Sequence, residues 1–294
     1  MVNIAVLGYG TVGSGVVEVI NTNHESINKR AGQEINIKYV LDLRDFPGDP
    51  VQEVLVHDYE IIANDPEVDI VVEVMGGIKP AYTFVKRALE SGKSVCTSNK
   101  ALVAKHGPEL MEIAKEKNIN FLFEASVGGG IPILRPIDQC LAANEVYEIA
   151  GILNGTTNFM LTKMIEEGMS FEDALALAQK LGYAERNPSA DIDGHDACRK
   201  ICILASLAFG RHVYPDQVHT EGISQVSAED VRYAAAWGGA IKLIGRAVKR
   251  PDGKLYAVVS PMLLPKTSLL ADVSGVFNGI MVRGDAIGDV VFYG

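Results

Sequence analysis

The chain has 294 residues, 48% of them hydrophobic and 22% charged, and its 27 basic and 37 acidic side chains give a formal net charge of −10. This composition is typical of a globular protein and the length predicts two domains, which excludes a disordered chain. The surplus of negative charge argues against nucleic acid and anionic membranes as partners. No apolar run approaches the ~20 residues of a bilayer span, and the first residues lack the pattern of a signal peptide, so we expect a cytoplasmic protein.

The first part of the chain alternates between strand-like and helix-like segments. A β-branched apolar run at residues 2–7 stops at Gly8, and the next segment has helical periodicity. Continued alternation predicts an α/β fold in which residues 1–130 form a Rossmann-type, doubly wound parallel sheet. The predicted strands are 2–7, 35–41, 70–74, 94–97 and 120–123, and the predicted helices are 12–21, 82–91 and 107–117.

Residues 131–294 have a different pattern, with longer helices and no regular alternation. They predict a second, α+β domain that follows the glycine-rich segment 126–132. The predicted helices are 171–181, 197–209 and 228–235, and the predicted strands are 146–153, 241–248, 256–263 and 279–284.

A glycine-rich turn joins the first predicted strand to the first predicted helix. Its sequence, GYGTVG, matches the G-x-G-x-x-G pattern in the strand, turn and helix context that binds a dinucleotide pyrophosphate. The first domain is therefore predicted to bind NAD(P). The candidate cofactor-binding residues of this turn are Gly8, Tyr9, Gly10, Thr11, Val12 and Gly13.

Two residues of opposite charge follow the second predicted strand, where such domains distinguish NAD from NADP. An acid at this position binds the ribose hydroxyls, whereas an arginine accommodates a 2′-phosphate. Asp42 and Arg44 both qualify, so the pattern leaves the choice of cofactor open.

Lys100 follows the predicted strand 94–97 and so belongs at the carboxyl edge of the sheet, where doubly wound folds bind ligands. Its ammonium could meet a nicotinamide ribose, a substrate carboxylate or a carbonyl oxygen; a surface lysine is the alternative.

Near the start of helix 197–209, Asp196 and Lys200 are four residues apart and share one helix face. This pair is either a solvated ion pair or a proton donor in a partly apolar setting. The segment NGTTN at residues 154–158 is either a helix cap or a ligand site.

Several separated motifs together resemble the homoserine dehydrogenase family over essentially the full length. They are GYGTVGSGV, SNKALVAKHG, FEASVGGGIPI, GILNGTTNFML, ADIDGHDACRK and VFNGIMVRGDAIGDVVFYG. The resemblance implies an NAD(P)-dependent oxidoreductase that interconverts L-aspartate 4-semialdehyde and L-homoserine in the biosynthesis of threonine, isoleucine and methionine.

The resemblance also implies roles for matched residues. Lys200 corresponds to the proton donor, with Lys100 as the rival for that role, and Asp196 orients Lys200. Glu185 and Asp191 correspond to the carboxylates that meet the substrate ammonium group. The further cofactor-binding residues implied in this way are Arg44, Gly76, Ser98, Lys100, Gly182 and Glu185.

The family further implies a homodimer formed through the second domain and a structural sodium ion. The matched sodium ligands are Glu124 and the backbone of Val127, Gly129 and Ile131.

The chain departs from the family pattern in two places. Asn187 replaces an acid before Pro188, and the family continues past the equivalent of Gly294, so we expect a chain that lacks a C-terminal helix and regulatory domain. The alternatives are another amino-acid semialdehyde or dihydrodipicolinate-type reductase, and a nucleotide-binding fragment of weak activity.

Overall fold

The computed structural model describes residues 1–294, which divide into two compact units, Met1–Ser126 and Val127–Gly294. The first unit contains one sheet of six parallel strands. These are β1 (Val2–Leu7), β2 (Ile35–Leu41), β3 (Leu55–Val56), β4 (Ile70–Glu73), β5 (Ser94–Thr97) and β6 (Phe121–Leu122). They lie in the order β3-β2-β1-β4-β5-β6. Successive strands are added on one side of β1 and then on the other, so the switch point lies between β1 and β4, where doubly wound sheets bind ligands.

Five helices connect these strands. They are α1 (Thr11–Thr22), α2 (His24–Ala31), α3 (Tyr59–Ala63), α4 (Ala81–Glu90) and α5 (Lys100–Lys117). Ala5, Val6 and Leu7 of β1 are fully buried, as expected for a central strand of a parallel sheet that is covered on both faces. The predicted α/β fold class with a Rossmann-type sheet is confirmed.

The predicted start of the third helix, at residue 107, is wrong. Helix α5 begins at Lys100, because the side chain of Asn99 accepts a hydrogen bond from the N–H of Leu102 and caps the helix there. Pro108 lies inside α5 without ending it. The segment after α1 forms a further helix, α2, which ends at Gly32 in the left-handed region (φ 70°).

The second unit contains a mixed sheet of six strands. These are β7 (Val146–Ile152), β8 (His219–Thr220), β9 (Gly239–Lys249), β10 (Leu255–Pro265), β11 (Gly279–Gly284) and β12 (Gly288–Tyr293). Their order is β12-β11-β7-β9-β10-β8, and all neighbours are antiparallel except β10 and β8. The short strand β8 and the strand β12 are additions to the predicted set.

The helices of the second unit are α6 (Gly155–Glu167), α7 (Phe171–Lys180), α8 (Ser189–Ile192), α9 (His195–Phe209) and α10 (Ala228–Trp237). Helix α9 packs across β7, β9 and β10. Gly245 permits this approach, because a Cβ atom there would lie 2.9 Å from Leu153 and 3.1 Å from Ile201. The close packing fixes the first turns of α9, which carry Asp196 and Lys200, against the end of β7.

None of the helices combines the length and the apolar character that a membrane span requires.

Candidate active site

The glycine turn between β1 and α1 has the geometry of a phosphate cradle. Gly8 has a φ of +100°, and a Cβ atom on Gly13 would lie 1.9 Å from the carbonyl oxygen of Gly8, so only glycine fits at Gly13. A Cβ atom on Gly10 would meet nothing within 4 Å, which shows open space in front of the turn. No side chain caps α1, whose first N–H groups can therefore bind an anion. These residues fit a dinucleotide pyrophosphate.

A cleft of about 530 Å³ opens beside this turn, at the carboxyl ends of β2 and β4. Its volume lies in the range typical of small-molecule and cofactor sites. The polar side chains at its edge are those of Asp42, Arg44 and His57, and Tyr59, Met75 and Phe84 contribute apolar surface.

Asp42 and Arg44, which the sequence left as competitors, form one ion pair. The carboxylate of Asp42 accepts hydrogen bonds from the main-chain N–H of Tyr9 at 2.9 Å and from Nε and Nη2 of Arg44 at 2.9 and 3.0 Å. The Arg44 hydrogen bonds hold the pKa of the Asp42 carboxyl well below its usual range. The Arg44 side chain is 62% exposed and that of Asp42 only 11%. The cation is therefore the group presented to solvent at this edge of the cleft.

His57 lies beside this pair, and no sequence pattern singled it out. Its Nδ1 atom lies 2.7 Å from the main-chain carbonyl oxygen of Asp42, and its Nε2 atom lies 3.2 Å from the carboxylate of Asp45. The bond to the Asp42 carbonyl, followed by that to Asp45, raises the pKa of His57 above its ordinary value. His57 reaches the cleft because β3 pairs with β2, Val56 lying opposite Leu41.

Glu73, at the end of β4, organises the loops on the other side of the switch point and was also missed. Its carboxylate is fully buried and accepts hydrogen bonds from the N–H groups of Met75 (2.9 Å) and Gly76 (3.3 Å) and from the hydroxyl of Thr97 (2.6 Å). The Glu73 carbonyl accepts from the N–H of Ser98. The structure thus brings Gly76 and Ser98, both candidate cofactor residues, to adjacent strand ends.

Lys100 is the first residue of α5 and is half-buried. The preceding Asn99 both caps α5 and donates a hydrogen bond to the Gly77 carbonyl at 2.6 Å. This ties the start of α5 to the loop after β4, so the Lys100 backbone has a defined place at the carboxyl edge of the first sheet.

The cluster in the second unit is built around Lys200. Its Nζ atom lies 2.8 Å from Oδ2 of Asp196, so the contact expected from their spacing on α9 is present. The same Nζ donates to the main-chain carbonyl of Leu153, at the end of β7, at 2.7 Å. Asp196 is buried. A mostly buried ammonium held by two acceptors retains a third N–H for another partner.

Asn154 connects this pair to Asp191. Its Nδ2 atom donates to Asp191 at 2.7 Å and to Asp196 at 3.0 Å. Its Oδ1 accepts from the N–H of Thr157 at 2.8 Å, which caps α6. The segment 154–158 therefore caps a helix, as one of the two interpretations predicted, and Asn154 also contacts the candidate site.

The Glu185 carboxylate forms no hydrogen bond or ion pair with this cluster. Glu185 is exposed in the loop between α7 and α8, and Gly182, with a φ of +80°, lies in the turn that follows α7. Of the five candidate residues in this part of the chain, Asp191, Asp196 and Lys200 come together.

The candidate sodium ligands fall in both units. Glu124 lies in a short 3-10 turn of the first unit, Glu124–Ser126. Val127, Gly129 and Ile131 belong to a glycine turn of the second unit, closed by a hydrogen bond from the Ile131 N–H to the Gly128 carbonyl. Main-chain and carboxylate oxygens are the donors that hard cations prefer.

A glycine cradle at the switch point of a six-stranded parallel sheet defines a Rossmann-type dinucleotide-binding protein. Comparison with protein families agrees. The model of the homoserine dehydrogenase NAD binding domain matches residues 8–124, and that of homoserine dehydrogenase matches residues 132–294.

Individual relatives give the same result. The homoserine dehydrogenases of Pseudomonas aeruginosa and Synechocystis are 44% and 45% identical, and the matches cover all of this chain and 68% and 69% of those proteins. The crystal structure of a homoserine dehydrogenase from Thiobacillus denitrificans superposes with a TM-score of 0.94 at 42% identity, over 100% of this chain and 68% of that one. A hyperthermophilic archaeal homoserine dehydrogenase, solved in complex with NADPH, gives a TM-score of 0.83 at 30% identity. The match covers 100% of this chain and 91% of that one. The chain belongs to the homoserine dehydrogenase family of NAD(P)-dependent oxidoreductases, which confirms the predicted resemblance.

Proposed function

We propose that the chain reduces L-aspartate 4-semialdehyde reversibly to L-homoserine, with Lys200 as the general acid and base. The observation that carries this proposal is the position of the Lys200 ammonium, held by Asp196 and by the Leu153 carbonyl at the end of β7. Two acceptors on separate elements restrict the ammonium to one place and leave one N–H for a reacting oxygen.

A nicotinamide dinucleotide held by the cradle of Gly8, Gly10 and Gly13 would supply the hydride in one direction and accept it in the other. As the aldehyde carbon is reduced, negative charge develops on its oxygen, and the Lys200 ammonium stabilises that charge and transfers a proton to it. The product is the hydroxyl of homoserine and a neutral amine on Lys200. In the reverse direction the neutral amine takes the hydroxyl proton. Asp196 keeps the amine in position in both protonation states.

The substrate is an amino acid, and its ammonium group requires an anion. Asp191 is the candidate best supported by geometry, because Asn154 fixes it beside Asp196. Glu185 is the second candidate for binding the substrate ammonium group, and only the family resemblance supports it. Lys100, at the N-terminus of α5, is proposed as a second cation that serves the cofactor and the substrate.

We further propose a preference for NADP over NAD. Arg44 places a cation at the edge of the cleft and His57 an imidazole whose protonated form is favoured by its hydrogen bonds, whereas the Asp42 carboxylate is already bonded to Tyr9 and Arg44. A ribose 2′-phosphate needs cations, and ribose hydroxyls need a carboxylate that is available to accept. The NADPH complex of the archaeal relative supports this preference.

Two properties implied by the family complete the proposal. One is a sodium ion bound by Glu124 and the backbone of Val127, Gly129 and Ile131. Binding of this ion to the folded chain predicts a higher melting temperature in sodium chloride than in choline chloride at equal ionic strength. The other is a homodimer formed through the second unit. Exposed aromatic side chains on α10, Tyr233 and Trp237, are of the type enriched at interfaces, and sedimentation velocity measures the assembly state.

The decisive experiment follows nicotinamide absorbance with L-aspartate 4-semialdehyde for the wild-type chain, Lys200→Met and Lys254→Met. Lys254 is a matched control, because its side chain is 79% exposed in a surface ion pair. We expect kcat to fall by about 10²- to 10⁴-fold in Lys200→Met, as when a general acid is removed, and to stay unchanged in Lys254→Met. Full activity of Lys200→Met would refute the role of Lys200.

A further inference from the structure

One buried amide group touches both aspartates of the Lys200 cluster. Asn154 lies between β7 and α6 and is buried. Its Nδ2 carries two hydrogens, and these are directed to Asp191 and Asp196 at 2.7 and 3.0 Å. Its Oδ1 is used by the N–H and the hydroxyl of Thr157, at 2.8 and 3.0 Å. A single planar group thus connects two carboxylates to the N-terminus of α6.

The arrangement has an electrostatic consequence. Two carboxylates that accept from the same nitrogen are close neighbours, and like charges at short range favour protonation of one of them. Hydrogen bonds donated to a carboxylate favour its ionised form. An amide can donate both bonds and cannot itself titrate. Lys200 of α9 brings a positive charge to Asp196, whereas the Leu153 carbonyl after β7 and the Asn154 amide before α6 are neutral.

We propose that Asn154 is a positioning residue for the reaction, whose amide keeps Asp191 and Asp196 ionised at the same time. Asp196 can then hold the Lys200 ammonium while Asp191 accepts the substrate ammonium. If the two aspartates shared a proton, one of these tasks would be lost. The inference rests on the proposed roles of Asp191, Asp196 and Lys200.

The variants separate this role from helix capping. In Asn154→Asp, a side-chain oxygen can still cap α6, but the NH₂ group is replaced by an acceptor. In Asn154→Ser, the hydroxyl is an equally good cap and is too short to bridge both aspartates. Asn154→Ala removes the cap and the bridge together. Each is compared with wild type and Lys200→Met in melting temperature and in the pH profiles of kcat and kcat/KM with L-aspartate 4-semialdehyde and NADPH.

We expect Asn154→Ser to keep the cap and to lose about 10²-fold in kcat/KM at neutral pH, the size of effect that misplaced groups produce. Asn154→Asp should show the same loss together with a lower melting temperature, because it places a third carboxylate beside two buried ones. The acidic limb of their profiles should move up by about one pH unit, more in Asn154→Asp, so that activity recovers partly at high pH.

A residue that only caps α6 predicts a different pattern, in which Asn154→Ala is less stable while the Ser and Asp variants keep the wild-type pH profile. That result would overturn the inference. The Lys200→Met variant distinguishes the two levels of failure. If it is inactive while Asn154→Ser behaves as wild type, only the role of Asn154 is wrong. If it remains active, the role of Lys200 is wrong, and if the wild-type chain itself is inactive, the proposed function is wrong.

Discussion

The Nζ atom of Lys200 lies 2.7 Å from the main-chain carbonyl oxygen of Leu153, so a backbone atom at the end of β7 supplies half of the lysine's anchorage. The other half is the Asp196 carboxylate at 2.8 Å. A carbonyl on a strand of the sheet does not titrate and cannot be removed by a side-chain substitution. Lys200 should therefore keep much of its position when Asp196 is changed.

Asp196→Asn tests this division. The ammonium stays bonded to the Leu153 carbonyl but loses a charged partner, which is worth about 1.5–3 kcal/mol for hydrogen bonds of this type. We expect kcat to fall by about 10- to 100-fold, less than in Lys200→Met. Steady-state kinetics of the two variants, with circular dichroism to verify folding, measure the difference. Equal loss in both variants would show that the carbonyl bond does not hold the lysine alone.

Arg44→Ala should change the choice between NADPH and NADH. The variant removes a cation from the edge of the cleft and at the same time releases the Asp42 carboxylate from its ion pair. We expect kcat/KM for NADPH to fall by about 10- to 100-fold and that for NADH to stay the same or rise, because Asp42 becomes available to ribose hydroxyls. The ratio of the two kcat/KM values is the readout. An equal change with both cofactors would contradict the placement of the 2′-phosphate at Arg44.

The affinity for NADPH should decrease as the pH rises through the pKa of His57. That pKa is raised by the bonds to the Asp42 carbonyl and the Asp45 carboxylate, so the imidazolium persists above the ordinary range of histidine. Below the pKa the cation attracts a 2′-phosphate together with Arg44, and above it the ring is neutral. Calorimetric titration of NADPH and NADH from about pH 7 to 9 should show the trend for NADPH alone.

His57→Asn is the control for this prediction, since it is neutral at every pH. The decline in NADPH affinity should flatten in the variant. A decline of equal slope in wild type and variant would assign the pH dependence to another group.

Local patterns in the sequence account for the parts that were predicted correctly. The apolar β-branched run at residues 2–7, with glycine directly after it, is sufficient for β1 and the cradle. The contact of Asp196 with Lys200 follows from their spacing on one helix. These signals need no knowledge of distant residues.

The contacts that were not predicted depend on long-range pairing. Asn154 meets Asp191 and Asp196 across 37 and 42 residues, because α9 packs against the end of β7. His57 reaches the Asp42 carbonyl through β3, a strand of two residues that is too short to produce a sequence pattern. The wrong start of α5 has a different cause. Asn99 is a residue type that favours a helix start, but the Gly107-Pro108 pair is typical of a helix boundary and led to the later prediction.

Lys242 provides a test of electrostatics away from the proposed active site. It lies on β9, is only 2% exposed, and donates to Oδ1 of Asn158 at 3.1 Å and to the Val273 carbonyl at 2.6 Å. Burial lowers the pKa of Lys242 from 10.5 to about 8, although the charges of Glu166 and Asp272 oppose this shift. The folded state thus binds this proton less tightly than the unfolded chain does.

The sign of the effect on stability follows directly. Below pH ~8 the lysine is protonated in both the folded and the unfolded state, and the cost of burying its charge is present in full. Between pH ~8 and ~10.5 the lysine is neutral in the folded state and charged in the unfolded chain, so the free energy of unfolding rises with pH. The gain is at most ~3 kcal/mol. Urea unfolding of wild type and Lys242→Met across this range should give a difference in unfolding free energy that changes with pH. Other groups that titrate in this range, such as tyrosines and cysteines, contribute equally to both proteins and cancel. A difference that stays constant with pH would mean that the buried amine keeps its proton, and the two neutral acceptors at Asn158 and Val273 would then suffice to hold a charged lysine.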